Sequence, residues 1–235
     1  MTAPVVHLHD VTHRASERFT LHVPALTIGP GVTTVLGSNG SGKTTLLRLL
    51  ATVLAPTTGL MTVAGQPASD ASLPMVRRQL GYLPQDDSVP RRLTVFDHVD
   101  LVAVMRELHT DTRRRRAAVH RALREVGMAE LCDERCGRLS GGQRRRVALA
   151  AALAGDATLL VLDEPDAHLD AAHLQLLTES LRARAPHTTV VVATHDEQWA
   201  ATVADRTVRL VDGHLVDSHL NDGHLDDSHL ADGPD

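Results

Sequence analysis

Apolar and polar positions change rhythm along the 235-residue chain, and each rhythm predicts a different element. Near the start, "VVHLHDVTH" and "RFTLHV" partly alternate in steps of two, which predicts short strands, the second ending at Pro24. "VTTVLG" is an apolar run that predicts a buried strand. "KTTLLRLLATVL" behind it carries helical spacing until Pro56 stops it. "LMTVAG" and "LGYLPQ" read as two further strands. From about Leu93 to Ala154 the apolar spacing lengthens to about 3.6 residues, through "LTVFDHVDLVAVMREL", "TRRRRAAVHRALREVGM" and "QRRRVALAAALAG". Then strand and helix alternate: "TLLVLD", "AAHLQLLTESLRARA", "TTVVVATH", "EQWAATVA" and "TVRLVDG". Alternation on both sides of a helical stretch predicts an α/β parallel-sheet core with a helical lobe inserted.

The end of the chain follows neither rhythm. "DGHLVDSHLNDGHLDDSHLADG" repeats D-[GS]-H-L every five residues. Such steps turn about 140° round a helix and build no continuous face. Two readings stay open. His214, His219, His224 and His229 among aspartates have the chemistry of a divalent-metal chelator. Alternatively the repeat is a low-complexity acidic tail without fixed structure. Its first copy, "LVDGHLV", also suits a closing β-hairpin.

Charge adds to this picture. Seven aspartates lie from Asp212 onward with no Lys or Arg among them, leaving 22 acids against 24 bases in the body. A near-neutral body argues against a nucleic-acid partner. No apolar run approaches the roughly 18 residues that cross a bilayer, and "MTAPVVHLHD" lacks the pattern of a secretory signal, so no membrane insertion is expected. Cys132 and Cys136 are too sparse for a disulfide framework and lack the second pair of a structural zinc site. They read as incidental thiols. Lys43 is the only lysine, against 23 arginines.

That lysine sits in "GSNGSGKT", which matches G-x-x-x-x-G-K-[ST] from Gly37 to Thr44 between a strand and a helix. In the run Gly37, Ser38, Asn39, Gly40, Ser41 and Gly42 the three glycines let backbone N–H groups turn inward round phosphates. A compact ammonium at Lys43 reaches the β- and γ-phosphates of a nucleotide, and the Thr44 hydroxyl suits Mg²⁺. "LLVLDEP" is a buried strand ending in two carboxylates: Asp163 is placed for the magnesium shell and Glu164 to orient or deprotonate a water. "LSGGQRRR", residues 139–146, is a second glycine-paired helix start suited to an anion, without a lysine. Arg144 to Arg146, like Arg113 to Arg116, read as solvated or ion-paired helix faces.

These motifs together resemble the nucleotide-binding subunits of ATP-binding cassette (ABC) transporters. "GSNGSGKTT", "LPQ", "LSGGQ", "LLVLDEP", "LD" at 169–170 and "ATHD" occur in the family's order across nearly all of residues 5–216. The resemblance implies a P-loop core with N-terminal antiparallel strands and a helical subdomain at about 86–154, one ATPase domain over 1–216, and a tail over 217–235. It implies ATP and Mg²⁺ as cofactors, with Thr45 joining the phosphate loop. Gln85 would contact the metal and the water, and His195 would steady the transition state beside Glu164. Ser140, Gly141, Gly142 and Gln143 would bind the γ-phosphate held by a second ATPase subunit, identical or different, with Asp170 linking the two sites. Transmembrane subunits would dock near the helical stretch after Leu93, placing the chain peripherally on the cytoplasmic face of the cell membrane. "GVTTVLGSNGSGKTTLLRLL" and "LGYLPQDD" resemble stand-alone subunits of drug- and antibiotic-exporting systems.

The chain also departs from the family. Ala15, with His13 and Phe19 close by, stands where an adenine-stacking aromatic is usual, and Asp166 and His168 replace small or hydroxylated residues. Two rival functions carry different expectations. A soluble ABC ATPase acting on ribosomes or DNA would bring a second cassette or a coiled coil. A nucleotide-dependent regulatory module would have lost Lys43, Asp163, Glu164 or His195.

Overall fold

The computed structural model describes residues 5–86, 89–109 and 111–220. Strands β1 (Val6–Arg14) and β2 (Thr20–Ile28) form an antiparallel pair with apolar side chains inward on alternate positions. β2 does not stop at Pro24 as the pattern predicts. The ladder pairs His9 with Ala25 and Val11 with Val23, and skips the position between, where Asp10 takes a left-handed φ of 49°. Proline's missing N–H therefore breaks no ladder bond there.

β3 (Gly31–Leu36) leads into the phosphate loop and α1 (Lys43–Leu50). β4 (Thr58–Val63) and the two-residue β5 (Gln66–Pro67) extend the antiparallel edge beyond β1. A short helix, α2 (Leu73–Gln79), precedes β6 (Leu80–Leu83). Only Val76 of α2 is buried, too little for an apolar periodicity to reveal it.

The helical lobe follows: α3 (Val95–Met105), α4 (Thr112–Glu125) and α5 (Gly141–Leu153), with two short 3-10 turns between α4 and α5. β7 (Leu159–Asp163), α6 (Ala171–Arg184), β8 (Thr189–Ala193), α7 (Glu197–Val203) and β9 (Arg206–Val211) restore the alternation. β10 (His214–Leu220) folds back on β9 as a hairpin, running from the first copy of the repeat through the second. The rest of the tail, His224 and His229 included, lies outside the described residues. Cys132 and Cys136 are free thiols, and burial pushes both up.

All ten strands join one sheet, in the order β5-β4-β1-β2-β10-β9-β3-β8-β7-β6. From β9 to β6 the neighbours are parallel. Both faces are covered, as the period of two requires. Leu160, Leu162, Val190 and Val192 enter the core shared with the helical lobe. Leu159, Val161, Val191 and Ala193 enter the core shared with α1, β1 and β2. Parallel strands bring their carboxyl ends to one edge, where the loops after β3, β6, β7 and β8 meet.

Candidate functional site

The loop after β3 gathers around a cavity of about 810 Å³. Gly37, Ser38, Asn39, Gly40, Gly42, Lys43, Thr44 and Thr45 line it, with Gln85, Glu164 and His195 from the other strand ends. Ser41 lies beneath, 1% exposed, with its hydroxyl lacking a partner among the described residues. A glycine is required at position 42: φ is +108°, and a Cβ there would come within 2.9 Å of the Phe19 ring. Lys43 folds over the loop, its Nζ donating to the carbonyls of Gly37 at 2.7 Å and Ser38 at 3.2 Å.

Phe19 supplies the cavity's one aromatic wall among the described residues. It comes from the β1–β2 turn, whose geometry is fixed by the Phe19 carbonyl accepting from the N–H groups of Ala15 and Ser16. Ala15 is exposed and does not line the cavity, so the aromatic stands four residues later than the motif alignment places it.

Asp163 ends β7 and is 1% exposed. Burial pushes its carboxyl above the usual range, against a hydrogen bond from the Thr44 hydroxyl that favours the charged form. Oδ2 has no hydrogen-bond partner among the described residues. The single Thr44 hydroxyl proton has a second acceptor within reach, Gln85 Oε1 at 3.3 Å. Thr44, Gln85 and Asp163 thus gather three oxygen-donor groups, one of them a carboxylate with coordination to spare. That set fits Mg²⁺, a hard cation that keeps several waters.

Glu164 takes a left-handed φ of 49°, uncommon for a side chain with a Cβ. Its N–H donates to the Ala193 carbonyl at 2.8 Å, tying the turn after β7 to β8. The carboxylate lies 3.7 Å from His195 Nδ1. Behind them the Thr194 hydroxyl donates to Asp166 at 2.8 Å and accepts from the Asp196 N–H. The Thr194–Asp166 bond places the acid that departs from the family pattern against the histidine loop, and burial pushes the Asp166 carboxyl above its ordinary range.

The "LSGGQ" segment stands elsewhere. Ser140 caps α5, its hydroxyl accepting from Gln143 N while Gln143 Oε1 accepts from Ser140 N. None of Ser140, Gly141, Gly142 and Gln143 lines the cavity. Ser140 and Gly141 are exposed, which leaves this helix start open to an external anion. Asp170 caps α6 and also accepts from His173 Nδ1 at 2.7 Å. His173 Nε2 meets Arg146 at 2.5 Å, so Arg146 connects α5 to α6. Arg145 is 3% exposed and belongs to no solvated face. The expectation of a solvated or ion-paired face for all three arginines fails because the helix turns Arg145 inward, toward carbonyls that need donors.

Comparison with known proteins agrees with this geometry. The ABC transporter family model matches residues 21–167. A cobalamin import ATP-binding protein, BtuD of Halobacterium salinarum, is 38% identical over 183 residues, covering 77% of this chain and 46% of that protein. The SkfA peptide export ATP-binding protein SkfE of Bacillus subtilis is 33% identical over 185 residues, covering 78% and 75%. The chain thus spans under half of the first relative and three quarters of the second. Among solved structures, a dimeric bacterial ABC transporter cassette aligns with a TM-score of 0.80 at 26% identity, over 93% of this chain and 100% of that one. The same cassette bound to ADP and Pi after hydrolysis aligns at 0.78, with 25% identity over the same shares. Motif order, site geometry and these matches agree: the chain belongs to the ABC transporter family, on the side of its ATP-binding subunits.

Proposed function

We propose that this chain hydrolyses ATP to ADP and phosphate and drives an exporter built on separate membrane-spanning subunits. The observation that carries the reading is the convergence on one cavity of the phosphate loop with Lys43, the Glu164 carboxylate and the His195 ring. Lys43 and the loop N–H groups hold the β- and γ-phosphates, and Phe19 flanks the base. Glu164 orients a water and takes its proton as the oxygen attacks the γ-phosphorus and the bond to the β-phosphate breaks. His195 steadies the charge that develops on the γ-phosphoryl oxygens. Thr44, Gln85 and Asp163 would hold Mg²⁺, which when bound neutralises phosphate charge.

The open helix start at Ser140 completes the site of a second subunit, with Gly141, Gly142 and Gln143, while Asp170 lies at the contact between the two. ATP then joins two subunits, and hydrolysis releases them. The dimeric cassette among the solved relatives supports this pairing. A membrane partner suits the apolar surface of the helical lobe, where Leu101, Val104 and Met105 of α3 are exposed. Met75 of α2 is also exposed, and α2 is held to the end of α3 by the Arg78–Glu107 pair at 2.7 Å. No helix among the described residues is long and apolar enough to cross a membrane, so a peripheral position on the cytoplasmic face is part of the proposal. The export reading rests on the likeness of the phosphate-loop segment and of "LGYLPQDD" to exporter subunits, with a peptide-export relative beside it; import relatives match over comparable lengths.

Tagged Glu164→Gln chain, charged with ATP, tests this by affinity capture from detergent-solubilised cells. Turnover should fall about 100-fold or more with ATP binding kept. A polytopic membrane protein should co-purify and should be lost when Gln85 is replaced. Capture of ribosomes or of soluble proteins alone would sink the transporter reading, and undiminished turnover would remove Glu164 from the chemistry.

A further inference from the structure

A buried guanidinium sits behind the reacting groups. Arg145 Nη1 donates to the Pro84 carbonyl at 2.5 Å and the Gln85 carbonyl at 3.2 Å. Its Nη2 donates to the Asp163 carbonyl and, at 3.1 Å, to the Glu164 carbonyl. One fork thus spans the segment after β6 and the segment after β7, which carry the metal-side glutamine and the water-side glutamate.

The Glu164 backbone needs such a tether. A left-handed φ at a residue with a Cβ is strained and persists only where the surroundings over-determine it. Ala193 fixes its N–H, and Arg145 shares its carbonyl with the Ala167 N–H, at 3.1 and 3.2 Å. Loss of Arg145 would leave that carbonyl on the Ala167 N–H alone, loosening the strained peptide and the Glu164 side chain it carries. The other arm of the same fork holds the Pro84 and Gln85 carbonyls, so both residues would drift together. Arg145 lies one turn and a half beyond Ser140 on α5, so the open helix start and the hydrolytic groups of the same chain share one rigid element.

We propose that Arg145 is a positioning residue, holding Gln85 and Glu164 in reacting register with the start of α5. This rests on the ATPase reading above. Its requirement is the planar fork rather than the charge: a lysine ammonium is a point donor on a flexible stem and cannot span two arms of carbonyls.

Arg145→Lys and Arg145→Met are made in the full chain. For each, kcat and KM for ATP are measured, with amide hydrogen exchange across the segments bearing Gln85 and Glu164. Both variants should lose about 10- to 100-fold in kcat, with KM changed by less than about threefold. Exchange should quicken in those two segments alone. Full kcat in Arg145→Lys would overturn the proposal, since charge alone would then suffice. So would unchanged kcat in both variants, or exchange that quickens along the whole chain while kcat and KM degrade together. If the parent chain itself does not turn over, the ATPase reading fails separately. The exchange pattern then decides Arg145: protection unchanged at both segments refutes the tether.

Discussion

Phe19 shows how one residue enters a site without a motif to announce it. It stands 18 positions ahead of Gly37, and its ring reaches the loop because β1 and β2 turn back beside β3 through the hairpin of β10. Gly213 N donates to the Ser41 carbonyl at 3.0 Å, and Gly213 O accepts from His22 N, so the turn before β10 clips the phosphate loop to β2. Replacing Phe19 by alanine removes the aromatic wall and nothing that touches phosphate. ATP affinity should fall about fivefold, roughly 1 kcal/mol, by titration with a fluorescent analogue, while inorganic triphosphate binds as before. The contiguous residues of the phosphate loop were legible because one local turn must cradle one anion. Arg145 was not legible, because its partners lie 18 to 61 positions away and only the fold makes them neighbours.

At the scale of elements, apolar spacing made the longer helices legible, while their capping side chains and the burial of single polar residues emerge only from the fold. Ser140, Asp111, Asp170 and Asp196 each cap a helix through the side-chain oxygen. Alanine at Ser140 costs about 1 kcal/mol, a drop of about 2–4 °C in Tm for a chain of this size. On the proposed pairing, turnover should fall far more than that loss of stability explains, since the same hydroxyl would face the partner's phosphate. α3 carries a pH response of its own. His98 is 9% exposed, and burial pushes its imidazole below the ordinary range, with Nδ1 unpartnered among the described residues. Above about pH 6.5 the imidazole is neutral folded or unfolded. As pH falls the unfolded chain takes the proton first, so stability drops until the folded imidazole charges too. His98→Leu should show a smaller fall in Tm between about pH 7.5 and about pH 5.5 than the parent. α2 escaped the pattern because one buried valine makes no period, and Pro24 misled it because the β1–β2 ladder skips the Asp10–Pro24 pair without losing register, so no bond needs the missing donor.

The alternation of strands and helices made the whole architecture legible, since a parallel sheet needs both faces covered and its crossovers long. Pairing between subunits leaves a weaker trace: an anion-ready helix start that its own cavity does not use. Mixing two inactive chains tests that pairing. Lys43→Met destroys the phosphate loop, and Ser140→Arg blocks the signature start. In a head-to-tail dimer of one with the other, both lesions fall in one composite site and the second is intact. Equal mixing should therefore recover about a quarter of the parent rate for random pairing. No recovery would mean that each chain uses its own signature start.

The solitary lysine has a practical consequence. Lys43 is 6% exposed and bonded to two carbonyls of the loop it serves, and every other side-chain cation of the Lys/Arg type is an arginine. Apart from a terminal amine, an acylating or reductively alkylating reagent finds a single side-chain target, and that target is the nucleotide cradle itself. Random amine labelling, which decorates the surface of most proteins, would here act as an affinity label without an affinity group. Bound ATP would shield Lys43 from it, so the extent of side-chain labelling would report how many cradles are empty.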